Sequence, residues 1–285
     1  MTTEDLMNKS VTPVIKWLGG KRQLLPILKE YIPTKFNKYY EPFFGGGALF
    51  FYLRPEKAII NDFNIQLMSM YQNLCNHCDE IKSLLDIYQN KYNSLSKDEQ
   101  LNFYYLLRNK YNQKISVQLN DAETAALLIF LNKSGFNGLY RVNKEGNYNV
   151  PSAHRTKLHL YDKNNLTEVS KLLKNAQIMS GDFEQAVKTA NHGDFVFFDS
   201  PYFKTFDNYQ ADGFSIEDHK RLANIFDILT NRGVKCILTN SDTAFIKELY
   251  SKYNIKEISV KRMVNRNANN RTGKEVLITN FNKEF

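Results

Sequence analysis

Two short apolar runs, Ala58-Ile59-Ile60-Asn61-Asp62 and Asp194-Phe195-Val196-Phe197-Phe198-Asp199, each end in an acidic residue. Runs this short, without polar alternation, are the pattern of strands buried on both faces of a parallel sheet. Parallel strands need crossover connections, and helical patterns lie beside both runs. Before the first, the order reads loop, helix, strand, then a turn at Phe44-Gly45-Gly46-Gly47 and a helix. Around the second, strands are expected at Ala176–Met179, Asp194–Phe198 and Lys235–Thr239, with helices at Phe183–Ala190, Ser215–Asn231 and Thr243–Tyr250. Ser215 with Asp218 three residues on is a capping-box variant. Glu257–Val264 and Lys274–Phe281 read as a closing antiparallel pair.

The stretch between these blocks has another texture. It is rich in Asn, Lys and Tyr, with helical spacing through Leu84, Tyr88, Tyr104, Leu107 and Tyr111 and a further helix over Asp121–Leu131. A polar, hairpin-like segment follows from Leu139 to Pro151, with turn residues Asn143-Lys144-Glu145-Gly146. The expected architecture is therefore an α/β, Rossmann-like doubly wound sheet formed by residues 1–64 and 167–285, interrupted by an insert at 65–166.

Composition narrows the partners. Lys and Arg number 38 against 30 Asp and Glu, a net charge of +8 with a pI near 9.1, which suits a polyanion or simply a mildly basic protein. No run of 18 apolar residues occurs, so no membrane-spanning helix is expected. Residues 1–10 are polar and lack the apolar core of a secretory signal, so a cytoplasmic protein is expected. Cys75-Asn76-His77-Cys78 looks like half a zinc site, but no second ligand pair follows, and no metal is expected.

Two sites carry chemistry. In Glu41-Pro42-Phe43-Phe44-Gly45-Gly46-Gly47, glycines after a strand let the backbone approach a ligand at a helix N-terminus, although such a turn is as common without one. Asp62, at the end of the next strand, can accept hydrogen bonds from both hydroxyls of a ribose. The GxGxxG dinucleotide pattern is absent. The second site is Asp199-Ser200-Pro201-Tyr202, at the carboxyl end of an apolar strand, where open α/β sheets bind ligands. A carboxylate and a main-chain carbonyl there can each accept one N–H of an exocyclic amine and aim its lone pair. Pro201 stiffens the turn, and Tyr202 can stack on a base. The same four residues also occur as a turn without function.

The order of motifs resembles the Dam-type, D12-class DNA adenine N6-methyltransferases. The resemblance runs over about residues 12 to 283 and is carried by Val14-Ile15-Lys16-Trp17-Leu18-Gly19-Gly20-Lys21, Glu41 to Gly47, Asn61-Asp62, Asn132 to Pro151, Ser180-Gly181-Asp182-Phe183, Asp199 to Tyr202 and Glu275 to Asn280. It implies methyl transfer from S-adenosylmethionine to adenine N6 in double-stranded DNA after base flipping, with the insert recognising the target. By resemblance, Trp17, Lys21, Asp62 and Asp199 contact the cofactor, together with the turn at Phe43, Gly45 and Gly47, and Asp182 and Phe183 hold its adenine. The tetrapeptide is usually Asp-Pro-Pro-Tyr in this family, and Ser200 replaces the first proline; that position contributes its carbonyl.

The same resemblance sets Lys16, Phe136, Asn137, Leu139, Arg141, Asn143 and Pro151 toward DNA. Arg141 suits a guanine, since its fork matches O6 and N7; a basic hairpin arginine alone reads equally as a phosphate contact. The spacing of Leu139, Arg141 and Pro151 implies a GATC target, while Ser152-Ala153-His154-Arg155 departs from the Phe-Gly-Arg continuation common in GATC enzymes. Arg266 and Arg271 sit in a basic Asn-rich loop that reads as a phosphate grip or as a plain surface loop. A restriction endonuclease acting on the same site and a monomeric state complete the expectation. The alternatives are methylation of another planar amine, such as RNA adenine or protein glutamine, and a DNA-binding relative with impaired catalysis.

Overall fold

A computed structural model describes residues 11–203, 214–261 and 272–283. Its seven strands are β1 Tyr39–Glu41, β2 Ala58–Asp62, β3 Ala176–Ser180, β4 Phe195–Phe198, β5 Lys235–Ser241, β6 Asn254–Lys261 and β7 Thr272–Thr279. The chain divides into two compact units. The first comprises Met1–Gly20, Gly45–Arg54 and Asn64–Ser180; the second comprises Lys21–Phe44, Pro55–Phe63 and Gly181–Phe285.

The second unit is an α/β layer structure built on six strands in the order β2-β1-β4-β5-β7-β6. β1 is parallel to both β2 and β4, and β4 is parallel to β5. β7 runs antiparallel to β5 and to β6, so the closing pair forms as its sequence pattern indicates. β4 is buried at every position and β2 at four of five, which explains why neither run alternates. The chain runs from β1 outward to β2 on one side and from β4 outward to β5 on the other. The winding therefore reverses between β1 and β4, and the crevice at their carboxyl ends is where this architecture binds ligands.

Helix ends follow their capping residues. Ser215 caps Ile216–Asn231, and its hydroxyl and Asp218 satisfy one another's main-chain N–H groups as a capping box. Thr243 caps Ala244–Leu249. The helix expected over Phe183–Ala190 stops at Val187.

The first unit is helical. Ala122–Ser134, buried on nearly all its residues, is the kind of all-round apolar helix that can exist only inside a bundle. Helices Ile65–Asn76, Cys78–Ser94 and Lys97–Ser116 pack against it. Phe130 at its centre meets the rings of Tyr88, Tyr92, Phe103 and Tyr104. The tyrosines have a second use. Buried phenols keep a hydrogen-bond partner, and here Tyr92 donates to the Arg155 carbonyl at 2.7 Å and Tyr104 to the Val150 carbonyl at 2.8 Å. The Tyr-rich texture thus ties the helices to the irregular segment that follows them. In the short helix Ala48–Leu53, Phe50 and Phe51 are buried and Tyr52 is 39% exposed. Among the described residues, no helix is long and apolar enough to cross a membrane.

Candidate active site

In the second unit, β4 delivers Asp199 into the crevice at its carboxyl end. The carboxylate Oδ1 receives Lys21 Nζ at 2.7 Å and the Thr239 hydroxyl at 2.9 Å. Burial pushes the Asp199 carboxyl above the ordinary carboxylate range, and Lys21 and Thr239 oppose that shift without cancelling it. Ser200, Tyr202 and Phe203 are held from β5 and β7. Asn240 Nδ2 donates to Ser200 Oγ at 3.2 Å, and Asn240 Oδ1 accepts the Phe203 N–H at 3.0 Å. The Tyr202 hydroxyl donates to Glu275 Oε2 at 2.8 Å, and Lys21 Nζ lies 4.6 Å from the centroid of the Tyr202 ring. Burial, with Asp199 and Glu275 nearby, raises the Tyr202 phenol far above its usual value, so it stays neutral.

A second cluster forms where β2 ends. Asn61, buried, donates from Nδ2 to the carbonyls of Pro42 at 3.0 Å and Gly181 at 2.9 Å. Gly181, at φ 138°, returns its N–H to the Asp62 carbonyl at 3.1 Å. These bonds tie the end of β2 to the turn that precedes Asp182. Asp182 caps the helix Phe183–Val187 through Oδ1 and accepts Arg221 Nη2 on Oδ2 at 2.8 Å. The same guanidinium reaches Glu184 and Asp218, each at 2.8 Å, and lies 5.0 Å from the Phe183 centroid. Phe43 stacks on Phe183 with centroids 5.3 Å apart, and Phe214 meets Phe43 edge-on. At that separation Phe43 and Phe183 touch each other and leave no room for a third ring between them.

The first unit holds the other predicted residues. Asn132, buried, accepts the Lys16 N–H at 2.9 Å and donates to the carbonyls of Lys16 at 2.9 Å and Gly138 at 2.8 Å. It therefore locks Lys16 to the segment bearing Phe136, Asn137 and Leu139. A Cβ on Gly138 would lie 2.8 Å from Lys16 Cδ, and its φ is 66°, so only glycine fits. Phe136 is 51% exposed, and Asn137 adopts the left-handed region at φ 54°. Trp17 packs on Tyr140 with centroids 5.4 Å apart and covers the glycine turn. A Cβ on Gly45, at φ 49°, would stand 2.9 Å from Trp17 Cδ1. Gly47 caps the following helix at φ 66°. In the hairpin, Asn143 Oδ1 accepts the N–H groups of Glu145 at 3.1 Å and Asn147 at 2.9 Å. Arg141 is exposed and gives Asn149 its Nε at 2.7 Å and one Nη2 hydrogen at 3.3 Å, two of its five N–H donors. Pro151 is exposed, and its carbonyl accepts the Phe136 N–H at 2.9 Å. Arg266 and Arg271 lie outside the described residues.

Thr239, Asn240, Arg221 and Asn132 were not singled out from the sequence. Thr239 and Asn240 carried a usable signal, since polar residues at the carboxyl end of an apolar parallel strand face the ligand crevice. Arg221 and Asn132 act through partners distant in sequence and carried none. His154 and His159 are exposed.

The chain matches a known family and several curated proteins. The family described as D12 class N6 adenine-specific DNA methyltransferase matches residues 17–264. The chain is 38% identical to the type II methyltransferase M1.LlaDCHI of Lactococcus lactis subsp. cremoris, over 95% of this chain and 96% of the relative. It is also 38% identical to the type II methyltransferase M.MjaIII of Methanocaldococcus jannaschii, over 95% and 99% of the two chains. The DNA adenine methylase of Escherichia coli K12 is 27% identical over 90% of each chain.

Proposed function

The chain belongs to the D12 class of N6 adenine-specific DNA methyltransferases, and on that premise we propose that it methylates adenine in GATC sites of duplex DNA with S-adenosylmethionine as donor. Among the residues, the observation that carries the reading is the Asp199 carboxylate, buried at the switch point with Lys21 and Thr239 both on Oδ1. In this reading Oδ2 is the oxygen that meets the incoming amine. Asp199 accepts one N6–H and the Ser200 carbonyl the other, which turns the nitrogen lone pair toward the methyl group. The ring of Tyr202, with Lys21 over one face and its hydroxyl held by Glu275, offers its remaining face to a flipped base.

The second cluster fits a nucleoside cofactor. Asp62 suits the ribose diol, Asp182 the exocyclic amine of the adenine, and the outer face of the Phe43–Phe183 stack its ring. When bound, S-adenosylmethionine supplies an electrophilic methyl group on a sulfonium. For Trp17, Gly45 and Gly47 a cofactor-contacting role rests on the family resemblance. So do DNA-facing roles for Lys16, Phe136, Asn137, Leu139, Arg141, Asn143 and Pro151, and phosphate contacts for Arg266 and Arg271. GATC rests on the spacing of Leu139, Arg141 and Pro151. The naming of two relatives as type II methyltransferases supports a restriction endonuclease that shares the target; the methyltransferase itself is expected to act as a monomer.

The test is expression in a host lacking adenine methylation, followed by digestion of its DNA with endonucleases blocked or required by methylated GATC. Protection at GATC is expected. DNA methylated at other adenines would overturn the target, and DNA carrying no N6-methyladenine would overturn the activity.

A further inference from the structure

Ser200 is 2% exposed and Asn240 1%, so their bond is a neutral one in a site shielded from water, where a missing partner is costly. Asn240 sits on β5, in register with Val276 of β7. Its Oδ1 faces two main-chain donors, Phe203 N–H at 3.0 Å and Ser241 N–H at 2.8 Å. Those contacts fix which end of the carboxamide is NH2, and that end meets Ser200 Oγ at 3.2 Å. Ser241 adds a bond from its hydroxyl to the Phe203 carbonyl at 2.6 Å. One rigid side chain therefore grips the tetrapeptide before Pro201 and again after Tyr202. Pro201 fixes its own φ and biases Ser200 toward extended backbone, but nothing in a serine ring-locks the φ of position 200 itself.

We propose that Asn240 is a positioning residue for methyl transfer, which through Ser200 and Phe203 fixes the turn that aims the Ser200 carbonyl and the Tyr202 ring. The inference rests on the reading of Asp199 to Tyr202 as the amine site. It assigns the Ser200 hydroxyl the part of a lock that a proline ring at the same position would supply covalently.

The test compares Asn240→Ala, Ser200→Ala, the double variant, and Asn240→Ala combined with Ser200→Pro, each measured for kcat, for KM toward DNA, and for cofactor affinity by calorimetry. Ser200→Ala is expected to lower kcat about tenfold, the rate equivalent of one hydrogen bond, and Asn240→Ala at least as much, because it also releases the Phe203 N–H, each with cofactor affinity within about twofold of wild type. The Ser200→Ala loss is expected to disappear in the Asn240→Ala background, because the bond the two residues share is already gone there. Proline at position 200 is expected to restore most of kcat in the Asn240→Ala background. A merely structural role would not separate kcat from cofactor binding and would not be rescued by proline. Additive losses, an unrescued double variant, or a Ser200→Ala enzyme of wild-type kcat would overturn the proposal. Ser200→Ala removes a single oxygen, which keeps the test decisive if Asn240→Ala does not fold. Asp199→Ala is run in parallel: full activity there sinks the reading of the site itself, whereas its loss beside a fully active Ser200→Ala sinks only the role of Asn240.

Discussion

Lys21 Nζ stands 2.7 Å from Asp199 Oδ1, and both side chains are largely withdrawn from solvent. Burial raises the carboxyl and the ammonium restrains the rise. In the proposed role Asp199 acts as the ionised carboxylate, the stronger acceptor of an N–H, so activity is expected to fall as pH drops through its raised value. The acid limb of the pH–kcat/KM profile is therefore expected above the ordinary carboxylate range. Lys21→Met removes the restraint and moves that limb to higher pH. A limb that stays in place in Lys21→Met would separate Lys21 from the ionisation of Asp199.

Asp199→Ala is expected to lower methyl incorporation into DNA at least about a hundredfold, the usual cost of losing a preorganised contact to the reacting group. Circular dichroism separates this loss from unfolding, because the variant also leaves the buried Lys21 ammonium without its Asp199 carboxylate. Turnover near wild type would remove Asp199 from the chemistry.

Asp62→Ala is expected to weaken S-adenosylmethionine by about 1–3 kcal/mol, from hydroxyl groups left without an acceptor. The main chain at Asp62 is held through its carbonyl by Gly181, so the substitution leaves the turn in place. Calorimetry without DNA reads the effect directly, and unchanged affinity would make Asp62 only the last residue of β2.

Arg141 presents three N–H donors beyond the two that Asn149 takes. If it reads a guanine, Arg141→Ala costs about 1–3 kcal/mol on GATC and less on sites altered at that base. Competition binding with single-base variants at two salt concentrations is the measurement. A uniform loss across sequences, with the salt slope lowered by about one, would assign it to phosphate instead.

His219 is 3% exposed and packs against Phe203, Phe214 and Phe245. Burial lowers its pKa to about 4, opposed weakly by Asp218. A depressed histidine contributes stability that is complete above about 6.5 and lost as pH falls toward 4, here roughly 3 kcal/mol at most. Urea midpoints are expected to drop over that window and the drop to shrink in His219→Phe. An equal drop in both proteins would assign the acid sensitivity to other groups.

The sequence made the sheet legible because its strands are distinctive: runs too apolar for a solvated face, ending in Asp62 and Asp199, with Ser215 and Asp218 marking a helix start. The closing antiparallel pair was legible for a similar reason, from two apolar-rich segments around a polar loop. What stayed hidden is pairwise and distant. Thr239 and Asn240 meet Asp199 and Ser200 across 40 positions, and Arg221 meets Asp182 across 39; no local pattern encodes such bonds. The helix after Asp182 was overrun because Ala186, Val187 and Ala190 are all buried whether or not the helix continues.

The backbone crosses between the two compact units five times, at residues 20, 44, 54, 63 and 180. Synthesis from the N-terminus therefore completes the helical unit once Ser180 has emerged, while the second unit then possesses only β1 and β2. Those two strands must wait, unmatched on the β4 side, for the last third of the chain. A truncation before β4 leaves a finished helical body attached to β1 and β2 with the β4 edge of β1 unpaired, the kind of species that aggregates. Arrested nascent chains are accordingly expected to gain protease resistance in the helical unit first, and in the sheet only after β5 and β7 have been delivered.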